Sequence, residues 1–127
     1  MPYDAVVSKG EETREIIVDT ALGMASQVGL EALSIGNLAR EVGMSKSGLY
    51  AHFDSKEALQ LDVLRRAVDR FIEVVITPAL RQPRGEPRVC ALFESWLAWE
   101  KADFLPGGCI FIATANELDD QPGVLRD

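Results

Sequence analysis

One short stretch of the chain decides the fold, and it covers residues 33–53: LSIGNLAREVGMSKSGLYAHF. In it, a serine stands directly before each of two short segments with helical spacing of apolar residues. Serine is a favourable N-cap because its hydroxyl accepts a hydrogen bond from the first helical turn. Gly43 lies between the segments, where a tight turn requires a positive φ. The stretch therefore predicts a helix-turn-helix, which must pack on another helix because isolated helices this short are marginal in water.

The residue types inside this motif meet its packing requirements. Ala39 is small enough to let the two helices cross closely, and four apolar residues have the spacing that places them between the helices: Leu38, Val42, Met44 and Leu49. We predict that the second helix of the motif covers residues 46–53, about 12 Å at 1.5 Å per residue. That length matches the width of the DNA major groove, about 12 Å. The outward residues of this helix are Lys46, Ser47, Tyr50 and Ala51.

Helical spacing of apolar residues extends over most of the remaining chain, and sustained strand-like alternation is absent. The helices predicted outside the motif cover residues 11–28, about 55–77, 88–102 and 109–118. Pro78 is expected to end or kink the second of these. The same helix carries two neighbouring apolar stripes, so we expect it to be covered on two sides.

The predicted fold class is therefore all-α. We divide the chain into a three-helix head at residues 8–55, which contains the helix-turn-helix, and a second helical region at residues 56–127. An acidic cap followed by proline at residues 119–122 is typical of a helix start, and only five residues follow it. This pattern predicts that the second region is truncated.

Composition excludes several classes of protein. The chain has 127 residues and a formal net charge of −7. It contains no apolar run near the roughly 18 residues that a membrane span needs, and no secretion signal opens it. Cys90 and Cys109 are unpaired in sequence, which fits neither a disulfide framework nor a zinc site and indicates a reducing cytoplasm. With one histidine, no glycine-rich phosphate loop and no recognisable carboxylate pair, we expect no enzyme, cofactor or metal.

The motif residues also resemble a known family. Segments 13–17 (TREII), 33–39 (LSIGNLA), 42–53 (VGMSKSGLYAHF) and 55–59 (SKEAL) are similar, in order and spacing, to the DNA-binding domain of TetR-family transcriptional regulators. Segments 107–109 (GGC) and 117–123 (ELDDQPG) look like the start of the ligand-binding and dimerisation domain. The resemblance implies a cytoplasmic repressor that binds double-stranded operator DNA and is released by a small-molecule inducer. It also implies a homodimer of the full-length protein, with no membrane partner.

The resemblance implies roles for individual residues of the head. Four are expected to contact phosphates: Ser34, Tyr50, His52 and Lys56. Three are expected to face base edges: Ser45, Lys46 and Ser47. Gly48 either permits close approach to the DNA backbone or packs tightly against a neighbouring helix. Gly36 stands where some members carry a base-reading arginine, so that contact is absent here.

Two interpretations stay open for the charges of the head and for the aromatic residues. Residues 1–57 carry five basic and nine acidic residues, a net charge of −4, so DNA affinity should be modest and salt-dependent. The alternative is a helix-turn-helix module that binds protein instead of DNA. In the second region, four aromatic residues either form core or line a ligand pocket with Glu117 as a polar anchor: Phe93, Trp96, Trp99 and Phe111. A ligand there is expected to shift the long fourth helix and so change the position of the head.

Overall fold

The computed structural model describes residues 9–119 and 122–127, and all regular elements within these ranges are helical. In chain order they are α1 (Lys9–Val28), α2 (Ile35–Val42), α3 (Lys46–Tyr50), α4 (Lys56–Phe71), a π-helical turn (Ile72–Ile76), α5 (Thr77–Leu80), α6 (Glu86–Glu100) and α7 (Ile110–Leu118). The all-α prediction is confirmed, and the bounds of α1, α6 and α7 lie within two residues of those predicted. None of the described helices combines the length and apolar character that a bilayer crossing requires.

A single apolar core runs through both parts of the described chain. Ile17 and Ala21 of α1 are fully buried against α2 and α4, and the same cluster continues to Trp99 of α6 and Ile110 of α7. Burial of such side chains stabilises a fold by roughly 1.5–3 kcal/mol each. The core thus crosses the predicted boundary at residue 55 without a break, and the division into two domains there stays a prediction.

Charged residues reinforce the packing of α1 on α4. Arg66 of α4 lies 3.8 Å from the carboxylate of Glu15 and 3.7 Å from that of Asp19. Arg70, one helical turn further on, lies 3.4 Å from the same Asp19 carboxylate. These groups are partly exposed, so each pair contributes at most about 1 kcal/mol. They lie on the border of the face on which α1 meets α4.

The long fourth helix differs from expectation at Pro78 and in the exposure of its second apolar stripe. Of the two outcomes expected at Pro78, an end or a kink, the structure excludes the end, because α5 continues through this residue to Leu80 after the π-helical turn. Proline has no N–H, so the carbonyl of Val74 lacks its usual α-helical donor, and a π turn is one arrangement that accommodates such a break. The second apolar stripe is covered only in part: Leu64 and Ile76 are partly buried against the core, whereas Val68 and Ile72 remain 44% and 46% exposed.

The second helix of the motif is shorter than predicted. α3 ends at Tyr50 instead of residue 53, because Ala51 and His52 enter a turn in which the His52 amide donates to the Leu49 carbonyl at 3.0 Å. Bonds between residues three apart tighten the last turn of a helix. Five helical residues rise only about 8 Å, so the predicted match between helix length and groove width does not hold for α3 alone.

Candidate nucleic-acid interface

The first helix of the motif is defined at both ends by local hydrogen bonds. The Ser34 hydroxyl accepts from the Asn37 amide at 3.2 Å. At the other end Gly43 adopts φ 72°, which lets its amide donate to Arg40 and the Met44 amide donate to Ala39, at 3.1 and 2.8 Å. This pair of bonds is the Schellman arrangement, in which a left-handed residue satisfies the last carbonyls of a helix. The predicted cap and turn are both confirmed.

The second helix begins with the same type of cap. The Ser45 hydroxyl accepts from the Gly48 amide at 3.0 Å and lies 3.2 Å from the Ser47 hydroxyl. A Cβ atom on Gly48 would lie 3.1 Å from the Ser45 hydroxyl and 3.5 Å from the Met44 methyl group. Gly48 is therefore packed against the residues that open its own helix, and its approach to a DNA backbone stays a prediction.

The side chains of α3 divide clearly between core and surface. Leu49 is 1% exposed and belongs to the apolar core, whereas Tyr50 is 45% exposed and Lys46 and Ser47 are also exposed. The structure thus brings Lys46, Ser47 and Tyr50 together on an open surface, as the sequence predicted. Recognition of base edges and phosphates requires an exposed polar face on a helix whose opposite face is packed in the core.

Lys46 also lies against the start of α2. A Cβ atom on Gly36 would be 3.3 Å from Cε and 3.8 Å from Nζ of Lys46. The absence of a side chain at Gly36 therefore makes room for the aliphatic part of Lys46. The family resemblance implied that an arginine contact is absent at Gly36, but nothing in the sequence showed that Lys46 occupies part of that space.

His52 and Lys56, both predicted phosphate contacts, are half-buried and lie close to other parts of the head. The His52 carbonyl accepts a hydrogen bond from the Arg14 guanidinium at 3.0 Å. The Lys56 ammonium donates to the Glu31 carbonyl at 2.9 Å. A lysine ammonium has three donors, so this bond leaves others for a phosphate. Contact of either residue with DNA stays a prediction.

Arg14 is a residue whose role the sequence analysis missed. From α1 its guanidinium donates to the His52 carbonyl, pairs with Asp62 at 2.5 Å, and lies 4.7 Å above the centre of the Phe53 ring. One side chain thus joins the turn after α3 to α1 and α4. Helical periodicity does not reveal such a contact, and the only signal was its place within the TREII segment of the family resemblance.

The four aromatic residues predicted for a ligand pocket do not line one cavity. Trp99 is fully buried, with the Phe71 and Phe104 rings at 5.3 and 5.5 Å, and its indole N–H donates to the Cys109 sulfur at 3.4 Å. Phe93 is 60% exposed and lies 6.5 Å from the half-buried Trp96. The core interpretation therefore applies to Trp99, while Phe93 faces outward because nothing in the described chain covers that side of α6.

Phe111 alone among these residues borders a sizeable cavity. This cavity of about 430 Å³ lies between α4 and α7 and is also bordered by residues 124–127. Its walls include apolar side chains such as Leu64, with Arg65 at the edge and the buried Thr114 on α7. The Thr114 hydroxyl has no hydrogen-bond partner. The size falls in the range of small-molecule sites.

The Glu117 side chain does not point to the aromatic residues but contacts the head. Its carboxylate accepts hydrogen bonds from the backbone amides of Leu30 and Glu31, at 3.0 and 2.6 Å. These two amides belong to the connection between α1 and α2 in the head. The predicted polar anchor of a pocket is in the structure a link between α7 and the helix-turn-helix.

No group suited to a metal ion is found among residues 9–119 and 122–127, where no three His, Cys, Asp or Glu side chains come together. Cys90 is exposed, Cys109 is buried, and both are free thiols.

Two models of known protein families match parts of the chain. Residues 17–63 match the family model "Bacterial regulatory proteins, tetR family", and residues 85–127 match "Tetracyclin repressor-like, C-terminal domain". The chain is 37% identical over 99 residues to the uncharacterized HTH-type transcriptional regulator YuxN of Bacillus subtilis, covering 75% of this chain and 33% of that protein. It is also 37% identical over 79 residues to the regulator AcrR of Shigella flexneri, covering 62% and 36%. The chain spans about a third of the length of these relatives.

Solved structures show the same fold. A TetR transcriptional regulator from Chloroflexus aurantiacus superposes with a TM-score of 0.83 at 30% identity, covering 93% of this chain and 60% of that one. AibR, whose structure contains isovaleryl coenzyme A and operator DNA, superposes with a TM-score of 0.73 at 23% identity, covering 90% and 60%. The helix-turn-helix and the packing of the helices around it are those of TetR-family transcriptional regulators. The chain belongs to the TetR family.

Proposed function

We propose that the chain binds operator DNA through α3 and acts as a repressor in the cytoplasm. The observation that carries this proposal is the shared exposure of Lys46, Ser47 and Tyr50 on a helix whose opposite face is buried through Leu49. Ser34 and Ser45 start the two helices of the motif, where a phosphate can also meet free backbone amides. The structures and names of relatives support this assignment, since AibR binds operator DNA and one relative is a tetracycline repressor of Escherichia coli.

The proposal is tested by selecting duplexes from a random pool and measuring affinity for a selected duplex against a scrambled one. Lys46→Ala should weaken binding to the selected duplex by about tenfold, since a good base contact is worth roughly 1–3 kcal/mol. Tyr50→Ala should weaken binding to both duplexes, because a phosphate contact carries no sequence information. Lys101→Ala is the matched control, because it removes the same charge from an exposed residue outside the motif, at the end of α6.

A protein-interaction module is the second candidate, and the net charge of −4 over residues 1–57 favours it. Salt titration separates the two candidates. DNA binding through lysine contacts falls steeply as salt rises, whereas an interaction module shows no DNA binding even at low salt. Absence of binding to every duplex in low salt would therefore refute the repressor proposal.

We infer that the inducer is a small, largely apolar molecule held in the cavity between α4 and α7. The Phe111 ring and the unpartnered Thr114 hydroxyl supply one apolar and one polar contact. A ligand changes DNA binding only if it prefers one arrangement of the protein over another. Movement of α4, which follows α3 directly, is one way to convey that preference to the head.

One head with a net charge of −4 is expected to bind DNA with modest affinity. Two copies bound to one operator would recognise a longer DNA sequence than one head can. In a homodimer two recognition helices enter successive major grooves about 34–36 Å apart. Sedimentation of the purified chain, with and without selected duplex, measures whether two copies bind one operator. A strict 1:1 complex on a palindromic duplex would contradict this assembly.

A further inference from the structure

The corner between α1 and α2, residues 26–31, is held by polar groups from three other parts of the chain. From α4, Gln60 donates to the Leu30 carbonyl at 2.9 Å and Lys56 donates to the Glu31 carbonyl at 2.9 Å. From the turn before α7, the Gly107 amide donates to the Ser26 hydroxyl at 3.1 Å. From α7, Glu117 accepts from the amides of Leu30 and Glu31. The corner is therefore where the head meets both α4 and α7.

The Glu117 contact depends on a special backbone conformation at Gly29. This residue has φ 87°, and a Cβ atom on it would lie 3.0 Å from the nearer Glu117 oxygen. Successive amides beside a left-handed residue can converge on one anion. Each oxygen of the carboxylate then accepts one amide, at 3.0 and 2.6 Å. Because the acceptor is ionised, these bonds are stronger than ordinary amide–carbonyl bonds.

The same contact lies on a short path between the cavity and the recognition motif. Thr114, which borders the cavity, precedes Glu117 by three residues, so the two share a face of α7. On the other side, the Leu33 amide donates to the Leu30 carbonyl at 3.2 Å, and Ser34 then begins α2. A displacement of α7 would therefore move residues 30 and 31, which directly precede the helix-turn-helix.

We propose that Glu117 is the positioning residue through which α7 sets the orientation of the helix-turn-helix. This deepens the proposed function and rests on the operator binding described there. It adds a route for regulation that does not pass through α4. Recognition of a particular sequence needs the head at one orientation, whereas non-specific phosphate contacts tolerate several.

The test compares Glu117→Ala, Glu117→Gln and the wild-type chain on the selected and scrambled duplexes. Glu117→Ala should weaken binding to the selected duplex by about tenfold, within the usual range of coupling between sites, and leave the scrambled duplex unchanged. Glu117→Gln should fall between the two proteins, because its oxygen keeps one of the two amide bonds while the NH2 group in place of the second oxygen cannot accept the other. Hydrogen exchange of the Leu30 and Glu31 amides should accelerate in the same order.

Glu94→Gln is the matched control, because it removes one negative charge from an exposed position on α6. It should leave the exchange of both amides, and the ratio of the two affinities, as in the wild-type chain. Circular dichroism checks that each variant folds; if Glu117→Ala does not, the comparison rests on Glu117→Gln.

The outcomes separate this inference from the function on which it rests. If Glu117→Ala weakens both duplexes equally, or neither, while the wild-type chain prefers its selected duplex, the positioning role is overturned and operator binding stands. If the wild-type chain does not distinguish the two duplexes, operator recognition fails, and the positioning role fails with it. The exchange measurement then still shows whether Glu117 holds the corner.

Discussion

The helix-turn-helix and α6 are both helical, but they are held in place in different ways. Each helix of the motif starts at a serine cap and buries a leucine, Leu38 or Leu49, at 0% and 1% exposure. Helix α6 has no side-chain cap and buries only Trp99, while Val89 and Phe93 remain 64% and 60% exposed. A helical pattern of apolar residues thus predicts that a helix forms, but not which part of its apolar surface is buried against the rest of the protein.

The largest expected effect contrasts a buried side chain of the motif with an exposed side chain of α6. Leu38→Ala should lower the free energy of unfolding by about 3 kcal/mol, because it removes a fully buried side chain and leaves a cavity. Phe93→Ala should change it by less than about 0.5 kcal/mol, as is usual for an exposed side chain. Urea denaturation measures both. Similar losses for the two variants would show that Phe93 is covered and would remove the contrast.

A second prediction concerns the contact between the turn before α7 and the end of α1. Gly107→Ala should lower the free energy of unfolding by about 2 kcal/mol, the usual scale of overpacking, because the new Cβ atom would lie 1.9 Å from the Ser26 carbonyl oxygen. Gly36→Ala is the control, since its Cβ atom would meet the flexible end of Lys46 at 3.3 Å and the Ser34 hydroxyl at an ordinary contact distance of 3.7 Å. That variant should be neutral, or more stable by up to about 1 kcal/mol. An unchanged denaturation midpoint for Gly107→Ala would mean that the turn does not pack on α1.

The smallest expected effect tests the caps of the motif. Ser45→Ala should cost about 1 kcal/mol, because the Gly48 amide loses its acceptor. Ser47→Ala should cost less than about 0.5 kcal/mol, since its hydroxyl contacts only that of Ser45. Thermal denaturation followed by circular dichroism resolves the difference. Equal stability of the two variants would show that tertiary packing, and not the cap, maintains α3.

Much of the head could be predicted because its signals are local. Ser34, Gly43 and Ser45 act on atoms within a few residues of themselves, so their types in sequence suffice to place the caps and the turn. The exposure of Lys46 and Tyr50 followed from the same local spacing. The end of α3 was missed because three-residue hydrogen bonds at Ala51 and His52 leave no distinct pattern in the sequence.

The candidate ligand site could be predicted only in part. Aromatic residues at helical spacing look alike whether they form core, line a cavity or face solvent, and the structure shows Trp99, Phe111 and Phe93 in these three settings. Glu117 gave no sign of its role, because its partners are backbone amides 87 and 86 residues away.

By itself, the sequence determined the all-α class, the bounds of α1, α6 and α7 to within two residues, the helix-turn-helix with its caps, and the family to which the chain belongs. These depend on backbone geometry and hydrogen bonds within one or two turns. Only the tertiary structure decided that Arg14 braces the turn after α3, that Lys46 occupies the space above Gly36, and that Glu117 joins α7 to the head. Contacts between distant residues depend on how whole helices pack, and no short stretch of sequence carries that information.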